Sequence, residues 1–395
     1  MVAIPLGIPE DINKYFYNRE KELIQLKSLV ENLKHNVANH ILLTGFRGVG
    51  KSFLLKKFIT TIPEDILVCA IDISKIYAIE KSKLTEEEIL YKLLYQMNEA
   101  VKKQGNGYKK ITQSISNLLN KLKVHNYDFK DIESLFSIPI PNFNLNYQKL
   151  SELVMEFPQK IVDASNGKIK GFVIIIDEFQ LISELESPDS FLWLIRSFTQ
   201  EQDNVSYVFT GSTSTSSEMV EKLNGITGAF GQRMFQLDIR PFSQDLTYNY
   251  LNDKISEIKF HKNGLERFYK CTRGYPAYIN SFCNLLSSDK IYDEKLIIEE
   301  FYIKFDQIAI KWVFIWSSLS KEEKEIIIAI NESKSIKLKD LTEKVSFSKG
   351  TLIKFLNKLK NKGIVSHINT DYLIEDYMLS TWLNHQKKEN DYYPL

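Results

Sequence analysis

Residues 41–52 read ILLTGFRGVGKS and place Gly45, Gly50, Lys51 and Ser52 at the spacing of a phosphate-binding loop. Glycines let the backbone curl so that consecutive N–H groups point at one anion, and the following helix adds the positive end of its dipole. Lys51 would reach the β- and γ-phosphates, and the Ser52 hydroxyl would bind Mg²⁺. An apolar run before the loop and the sequence FLLKKFI after it favour a nucleotide site over a structural glycine turn. The nucleotide-binding residues predicted from this segment are Gly45, Phe46, Arg47, Gly48, Val49, Gly50, Lys51, Ser52 and Phe53.

A pair of acids follows the apolar run Phe172–Ile176. In a parallel sheet the strand C-termini meet at the edge where ligands bind, so Asp177 would orient Mg²⁺ through its water shell. Glu178 would polarise the attacking water, which favours hydrolysis over transfer to an acceptor. The alternative is a pair of solvated acids at the end of a buried strand.

Two further segments suggest catalytic side chains. VSYVFTGS, residues 205–212, predicts a strand that ends with Thr210 and Ser212 near the γ-phosphate, although such residues also simply begin turns. Arg233 lies in a glycine-rich segment before an edge strand and could stabilise transition-state charge, in cis or from a neighbouring subunit. The alternative for Arg233 is a surface ion pair, and Arg240 is a weaker candidate for the same role.

The sequence favours ATP with Mg²⁺ as the ligands. An N-K-x-D motif, which would read guanine, is absent from the sequence, and the six histidines have no metal-binding spacing. We see no nucleophilic triad. ATP hydrolysis is therefore the predicted chemistry.

Alternating strands and helices predict how these residues are positioned. Expected strands cover residues 41–43, 66–73, 171–180, 205–212 and 235–239, and expected helices cover 14–35, 84–101, 111–124, 147–164 and 189–200. This alternation predicts an α/β P-loop fold with a five-stranded, mainly parallel sheet. A Pro- and Asn-bearing loop, residues 136–147, is a candidate partner-facing segment.

Three domains are expected. The ATPase domain would span residues 1–242 with a helical insert at about 84–168, the α-helical lid 243–316, and a winged helix-turn-helix 317–395. The chain has 395 residues, of which 44% are apolar and 26% charged, and this is enough for several packed domains. Its net charge of +1 indicates no overall electrostatic attraction to nucleic acid or to membranes. Three cysteines without a C-x-x-C pair and no secretory signal lead us to expect a cytoplasmic protein without a membrane span.

With these motifs the chain resembles the archaeal-type P-loop ATPases. These are AAA+-like proteins close to the signal-transduction ATPases with numerous domains, and more distantly similar to origin-recognition initiators. Residues 17–23, YNREKEL, resemble the family's box beside the adenine, which implies nucleotide contacts by Asn18 and Arg19. Residues 272–276, TRGYP, resemble its lid motif and imply that Tyr275 and Pro276 lie near the base. YLIEDYMLSTW resembles the end of its winged helix, with Tyr377 where Pro is common.

The predicted winged helix has two open roles. Residues 344–370 contain six lysines and no Asp or Glu, as a DNA-recognition helix would, and Lys349, Lys354 and Lys358 are the candidate contacts. The same stretch has no Arg, the residue that most often makes specific contacts with bases. The alternative role is therefore a domain that packs against a protein.

The functional hypothesis is a regulatory ATPase whose nucleotide state repositions lid and winged helix to control a protein or DNA partner, with homo-oligomers possible. The alternative is a DNA-binding initiator or clamp-loader-like ATPase in which ATP licenses DNA engagement. A small-molecule kinase is disfavoured because Asp177-Glu178 and a C-terminal winged helix suit hydrolysis and regulation.

Overall fold

The computed structural model of the chain describes residues 4–80, 83–103, 147–212, 218–368 and 370–394. The helix predicted over residues 111–124 lies outside these ranges. So does the loop predicted over 136–147, apart from Tyr147, which begins a helix.

Five strands form the central sheet in the spatial order β2-β3-β4-β1-β5. They are β1 Ile41–Thr44, β2 Ile66–Asp72, β3 Gly171–Asp177, β4 Val205–Thr210 and β5 Phe235–Asp238. Every neighbouring pair is parallel. In register, Asp177 lies beside Thr210 on one side and Asp72 on the other, so the C-terminal ends of the strands meet at one edge. The predicted α/β fold with its five-stranded sheet is confirmed.

Helices cover both faces of this sheet, as the apolar strands require. They are α1 Ile12–Tyr15, α2 Glu20–Glu31, α3 Lys51–Thr61, α4 Ile73–Ile79, α5 Glu86–Lys102, α6 Tyr147–Ala164, α7 Pro188–Thr199 and α8 Glu218–Asn224, with 3₁₀ turns at Asn32–His35 and Phe179–Glu184. In β3 every residue from Gly171 to Ile176 is buried, and only Asp177 reaches the surface of the edge.

The next region is the predicted lid. It consists of α9 Gln244–Lys254, α10 Lys262–Thr272, α11 Pro276–Leu285, α12 Glu294–Ile303, α13 Phe305–Ile308 and α14 Ile310–Ser317. The segment predicted to be entirely helical also contains one short parallel pair, β6 Lys259–Phe260 with β7 Ile291–Tyr292.

The C-terminal region alternates helices and strands in winged-helix order. It runs α15 Lys321–Ser333, β8 Ile336–Lys337, α16 Leu338–Lys344, α17 Lys349–Asn361, β9 Val365–Ile368, β10 Asp371–Ile374 and α18 Tyr377–Asn390. The three strands form an antiparallel sheet in the order β8-β10-β9. Ser320 begins α15 with a capping box, because its hydroxyl accepts from Glu323 N–H while the Glu323 carboxylate accepts from Ser320 N–H.

One hydrophobic core runs from one face of the sheet through the lid into the winged helix, whereas a second core fills the other face of the sheet. Lid and wing are also joined by polar contacts around Asp376 and Tyr377. Tyr278 donates its hydroxyl to Asp376, and Tyr377 donates its own to the Cys271 carbonyl at 2.8 Å. The domain boundaries near 242 and 316 stay predictions. Within the described ranges, every helix is too short or too polar to span a bilayer.

Candidate nucleotide-binding site

The loop between β1 and α3 has the backbone that a phosphate cradle needs. Gly45, Gly48 and Gly50 all have positive φ, at 142°, 89° and 98°. Gly45 is also tightly enclosed, because a β-carbon there would lie 2.4 Å from the Ile239 carbonyl oxygen. A side chain at this position would therefore push the loop away from the segment that follows β5.

Lys51 lies at the mouth of this loop. Its ammonium donates to the carbonyls of Gly45 at 2.7 Å and Phe46 at 3.0 Å, and the residue is only 6% exposed. Burial lowers the pKa of Lys51 to about 8, although the carboxylates of Glu178 and Asp177 oppose that shift. A buried amine with acids nearby suits a phosphate ligand, whose negative charge would favour the protonated form.

Asp177 and Ser52 are the two residues predicted to hold Mg²⁺. Both line one groove at the C-terminal edge of the sheet, which Asp72 also lines. Burial raises the pKa of Asp177 to about 6, and the neighbouring charges of Glu178 and Asp72 add to it. Mg²⁺ usually binds one or two protein groups together with substrate phosphates, and this pair fits that pattern. Among the described residues, no group of three or more His, Cys, Asp or Glu could hold a metal ion independently.

Glu178 is held in a defined position after β3. Its backbone is left-handed, with φ of 54°, and the strand ends one residue before it, at Asp177. Its carboxylate accepts hydrogen bonds from the Gln180 amide and, at 3.2 Å, from the Ser212 hydroxyl. Sequence reasoning missed Gln180, since nothing but its closeness to Glu178 in the chain marked it.

Thr210 and Ser212, the two residues predicted to lie near the γ-phosphate, occupy different surroundings at the end of β4, which we call the sensor strand. Ser212 contacts Glu178 and lines the same pocket as Phe46 and Arg47. Thr210 is completely buried, and its hydroxyl has no hydrogen-bond partner among the described residues. Thr210 does not line that pocket, so Ser212 is the better candidate of the two.

Arg233 is exposed and precedes β5, at the N-terminal edge of the sheet. The phosphate loop follows β1, at the opposite end of the parallel strands. The length of β5, roughly 10 Å at about 3.3 Å per residue, separates these two ends. This position does not fit a role in cis and leaves the role in trans as a prediction. Arg240 forms an ion pair with Asp238 at 3.3 Å.

A cleft beside the loop has the mostly apolar walls of a base-binding site. Val49, Gly50, Phe53, Arg19 and Pro276 line it, all predicted from sequence. The Arg19 guanidinium lies 5.2 Å above the Phe242 ring and bonds to Glu22 at 3.1 Å, so it is fixed in place. Tyr17, from the predicted box beside the adenine, also lines the cleft. Sequence reasoning missed the further lining residues Ile4, Tyr15, Phe16, Phe242, Tyr250 and Asn280.

Two predicted residues stand apart from this cleft. Asn18 contributes a left-handed turn before α2, with φ of 47°, and does not line the cleft. Tyr275 does not line it either, because its buried ring packs on Tyr278 and Tyr377, with centroids 5.7 Å apart in both pairs. Gly48 approaches the lid, since a β-carbon there would lie 3.0 Å from Ala277 Cβ.

A second pocket lies between the loop and the winged helix. Phe46, Arg47, Glu178 and Ser212 form one wall, and the other carries charged residues that sequence reasoning missed: Lys311, Lys362, Glu375 and Asp376. The sequence contained a signal for two of these residues, because the acid pair Glu375-Asp376 comes at the end of a strand, as the pair Asp177-Glu178 does. Burial raises the pKa of Glu375 to about 7, and nearby Asp376 adds to the shift while Lys51 and Lys311 oppose it.

The predicted DNA-contacting lysines differ in their surroundings. Lys349 and Lys354 are exposed on α17. Lys358 forms an ion pair with buried Glu323 at 3.2 Å, which Lys362 also contacts at 2.9 Å. Farther along the helix, Lys360 pairs with Glu218 of the ATPase region at 3.4 Å.

A family model and a solved structure each match more than half of the chain. The model of an ATPase domain predominantly from Archaea matches residues 16–282. Among solved structures, the Walker-type ATPase PABY2304 of Pyrococcus abyssi has a TM-score of 0.60 at 18% identity, covering 93% of this chain and 95% of that chain. The Aeropyrum pernix ORC1 protein in complex with DNA has a TM-score of 0.48 at 12% identity, covering 97% and 95%. No curated protein matches the sequence.

The matched range contains the phosphate loop, the acid pair, the sensor strand and the start of the lid, and it covers more than half of the chain. The likeness to the Pyrococcus protein supports the same P-loop fold. The protein therefore belongs to the family of P-loop ATPase domains found predominantly in Archaea.

Proposed function

We propose that this chain is an ATP-hydrolysing regulatory switch, in which the nucleotide state controls how the lid and winged helix rest on the ATPase region. The observation that carries the proposal is the contact between the wing and the sensor strand. A β-carbon on Gly363 would lie 3.4 Å from the Ser212 carbonyl oxygen, and Ser212 itself bonds to Glu178. A change at Glu178 is thus two contacts away from the wing.

The residues present fit ATP with Mg²⁺. The loop N–H groups and Lys51 would hold the phosphates, the cleft beside Phe53 and Pro276 would hold the base, and Ser52 with Asp177 would hold the metal. The metal held by these two residues would offset the negative charge of the phosphates. Glu178 would accept a proton from the attacking water, and Ser212 and Gln180 would keep its carboxylate in position.

Phosphate release tests this proposal. Wild-type protein should release phosphate from ATP, and Glu178→Gln should slow release by about 10²–10⁴-fold, the usual contribution of a general base. Glu184→Gln is the matched control, because Glu184 is an exposed acid in the 3₁₀ turn that follows Glu178. Equal rates for wild type and Glu178→Gln would contradict hydrolysis at this site.

A second candidate function is DNA engagement licensed by ATP. It is favoured by the exposed N-terminal half of α17, where Lys349 and Lys354 have no ion-pair partner within the described residues. Recognition helices use this half to read the major groove. Anisotropy with duplex DNA should show salt-sensitive binding that Lys349→Ala/Lys354→Ala weakens and Lys387→Ala, in a lysine paired with Glu332, does not. Binding that is absent at low salt would contradict this candidate.

A further inference from the structure

Lys311 is a cation that the predicted catalytic set does not use, although it faces the same space. It lies on α14 at the end of the lid and lines the pocket that also contains Arg47, Glu178 and Ser212. Its side chain is 28% exposed, and its ammonium rests 4.2 Å from the Trp312 ring.

The charge of Lys311 is incompletely balanced. Its nearest acid within the described residues is Asp376, whose carboxylate oxygen is 3.9 Å from the ammonium, too far for a good hydrogen bond. Asp376 already accepts hydrogen bonds from the Tyr278 hydroxyl and the Met378 N–H. Burial lowers the pKa of Lys311 to about 8, and the positive charges of Arg47 and Lys51 lower it further, while Asp376 and Glu375 oppose the shift. Arg47 and Lys362 line the same pocket as Lys311, so three cations converge on it.

We propose that Lys311 is a further phosphate-binding residue, which leaves the Asp376 carboxylate and binds the terminal phosphate of a nucleoside triphosphate. This inference rests on the proposed function. Glu178 and Ser212, which face the predicted position of the terminal phosphate, line the same pocket as Lys311. A diphosphate would end one phosphate short of this pocket, so Lys311 distinguishes ATP from ADP. Because Lys311 and Asp376 join the lid to the wing, this exchange also links the triphosphate to their contact.

Nucleotide affinity measured on the full chain with Mg²⁺ tests the inference. Lys311→Gln should weaken binding of a non-hydrolysable ATP analogue by about tenfold or more and change ADP affinity by less than about twofold. Lys311→Arg should restore most of the difference. The matched control is Lys324→Gln, since Lys324 also rests over a tryptophan, 5.7 Å from the Trp316 ring, but lies outside the pocket.

Asp376→Asn separates phosphate binding from a purely structural role. If Lys311 acts only by holding Asp376, this variant should reproduce the selective loss of ATP affinity. If Lys311 binds phosphate, removal of the competing carboxylate should leave ATP affinity unchanged or increase it. A selective loss in Asp376→Asn that equals the loss in Lys311→Gln overturns the inference.

Amine labelling of the wild-type chain gives a readout that depends on no variant. The ATP analogue should protect Lys311 from acylation and ADP should not, while Lys324 should react equally in both. Equal labelling of Lys311 with both nucleotides, or equal loss of both affinities in Lys311→Gln, contradicts this inference alone. A wild-type chain that binds neither nucleotide contradicts the proposed function as well.

Discussion

Glu375 of the winged helix lies close enough to Lys51 of the phosphate loop for each charge to shift the other's pKa. The carboxylate raises the pKa of Lys51, and the ammonium lowers the pKa of Glu375, although burial dominates at both residues. The wing thus presents an acid to the lysine that would bind phosphate. Phosphates and Glu375 would compete for the same positive charge, which gives a physical reason for coupling between nucleotide and wing.

The pH dependence of stability should reveal Glu375. Its pKa rises from 4.5 to about 7 in the folded chain, so its stabilising contribution is complete below about pH 4.5 and is lost as pH rises through 7. Glu375→Gln removes this dependence. The melting temperature of the variant relative to wild type should therefore increase between pH 5 and pH 8. Glu343→Gln, an exposed acid of α16, should show no such trend, and a flat difference for Glu375→Gln would contradict the prediction.

Gly45→Ala should damage the loop itself. The new methyl group would lie 2.4 Å from the Ile239 carbonyl oxygen in a residue with φ of 142°, so we expect about 1–3 kcal/mol of destabilisation together with loss of nucleotide binding. Chemical denaturation and nucleotide titration measure both effects. Gly350→Ala is the control, because Gly350 lies in α17 with no atom closer than 4.0 Å to a built β-carbon. There alanine should be neutral or stabilising.

Mixing two inactive variants tests Arg233. A finger in trans requires Arg233 from one subunit and Glu178 from another, so Arg233→Ala and Glu178→Gln should each be slow alone. A mixture should recover activity, up to about a quarter of the wild-type rate if mixed dimers form at random and one of two sites works. Arg240→Ala, in an arginine that pairs with Asp238, should keep its activity. Failure of the mixture to recover, together with a monomer by sizing in the presence of an ATP analogue, would exclude the role in trans.

Ser212 and Thr210 should behave differently when their hydroxyls are removed. Ser212→Ala frees the Glu178 carboxylate on one side, so turnover should fall by about 3- to 30-fold with little change in stability. Thr210→Val removes a buried hydroxyl that lacks a partner within the described residues, and should leave turnover unchanged and stability equal or higher. Phosphate release and thermal melts on both variants decide the matter. The reverse pattern would show that the sensor is Thr210.

The sequence predicted the parts of the site whose geometry is local. Gly45 to Ser52 carry their own turn, helix start and lysine, and Asp177 with Glu178 follow a strand too apolar to lie anywhere but in the core. The strand–helix alternation predicted the sheet for the same reason, since each element is specified by neighbours a few residues away. The family resemblance added Arg19 and Pro276, which do line the cleft beside the phosphate loop.

Only the tertiary structure decided which of the other residues meet. Arg233 precedes β5 and Lys51 follows β1. Because these two strands are parallel, the two residues lie at opposite ends of them. Thr210 and Ser212 differ by two positions, yet one is in the core and the other in the pocket. Lys311, Lys362 and Glu375 come from distant parts of the chain, and the packing of lid and wing on the ATPase region brings them to the loop. Sequence spacing encodes a turn or a helix face, whereas contacts between domains depend on how complementary surfaces pack.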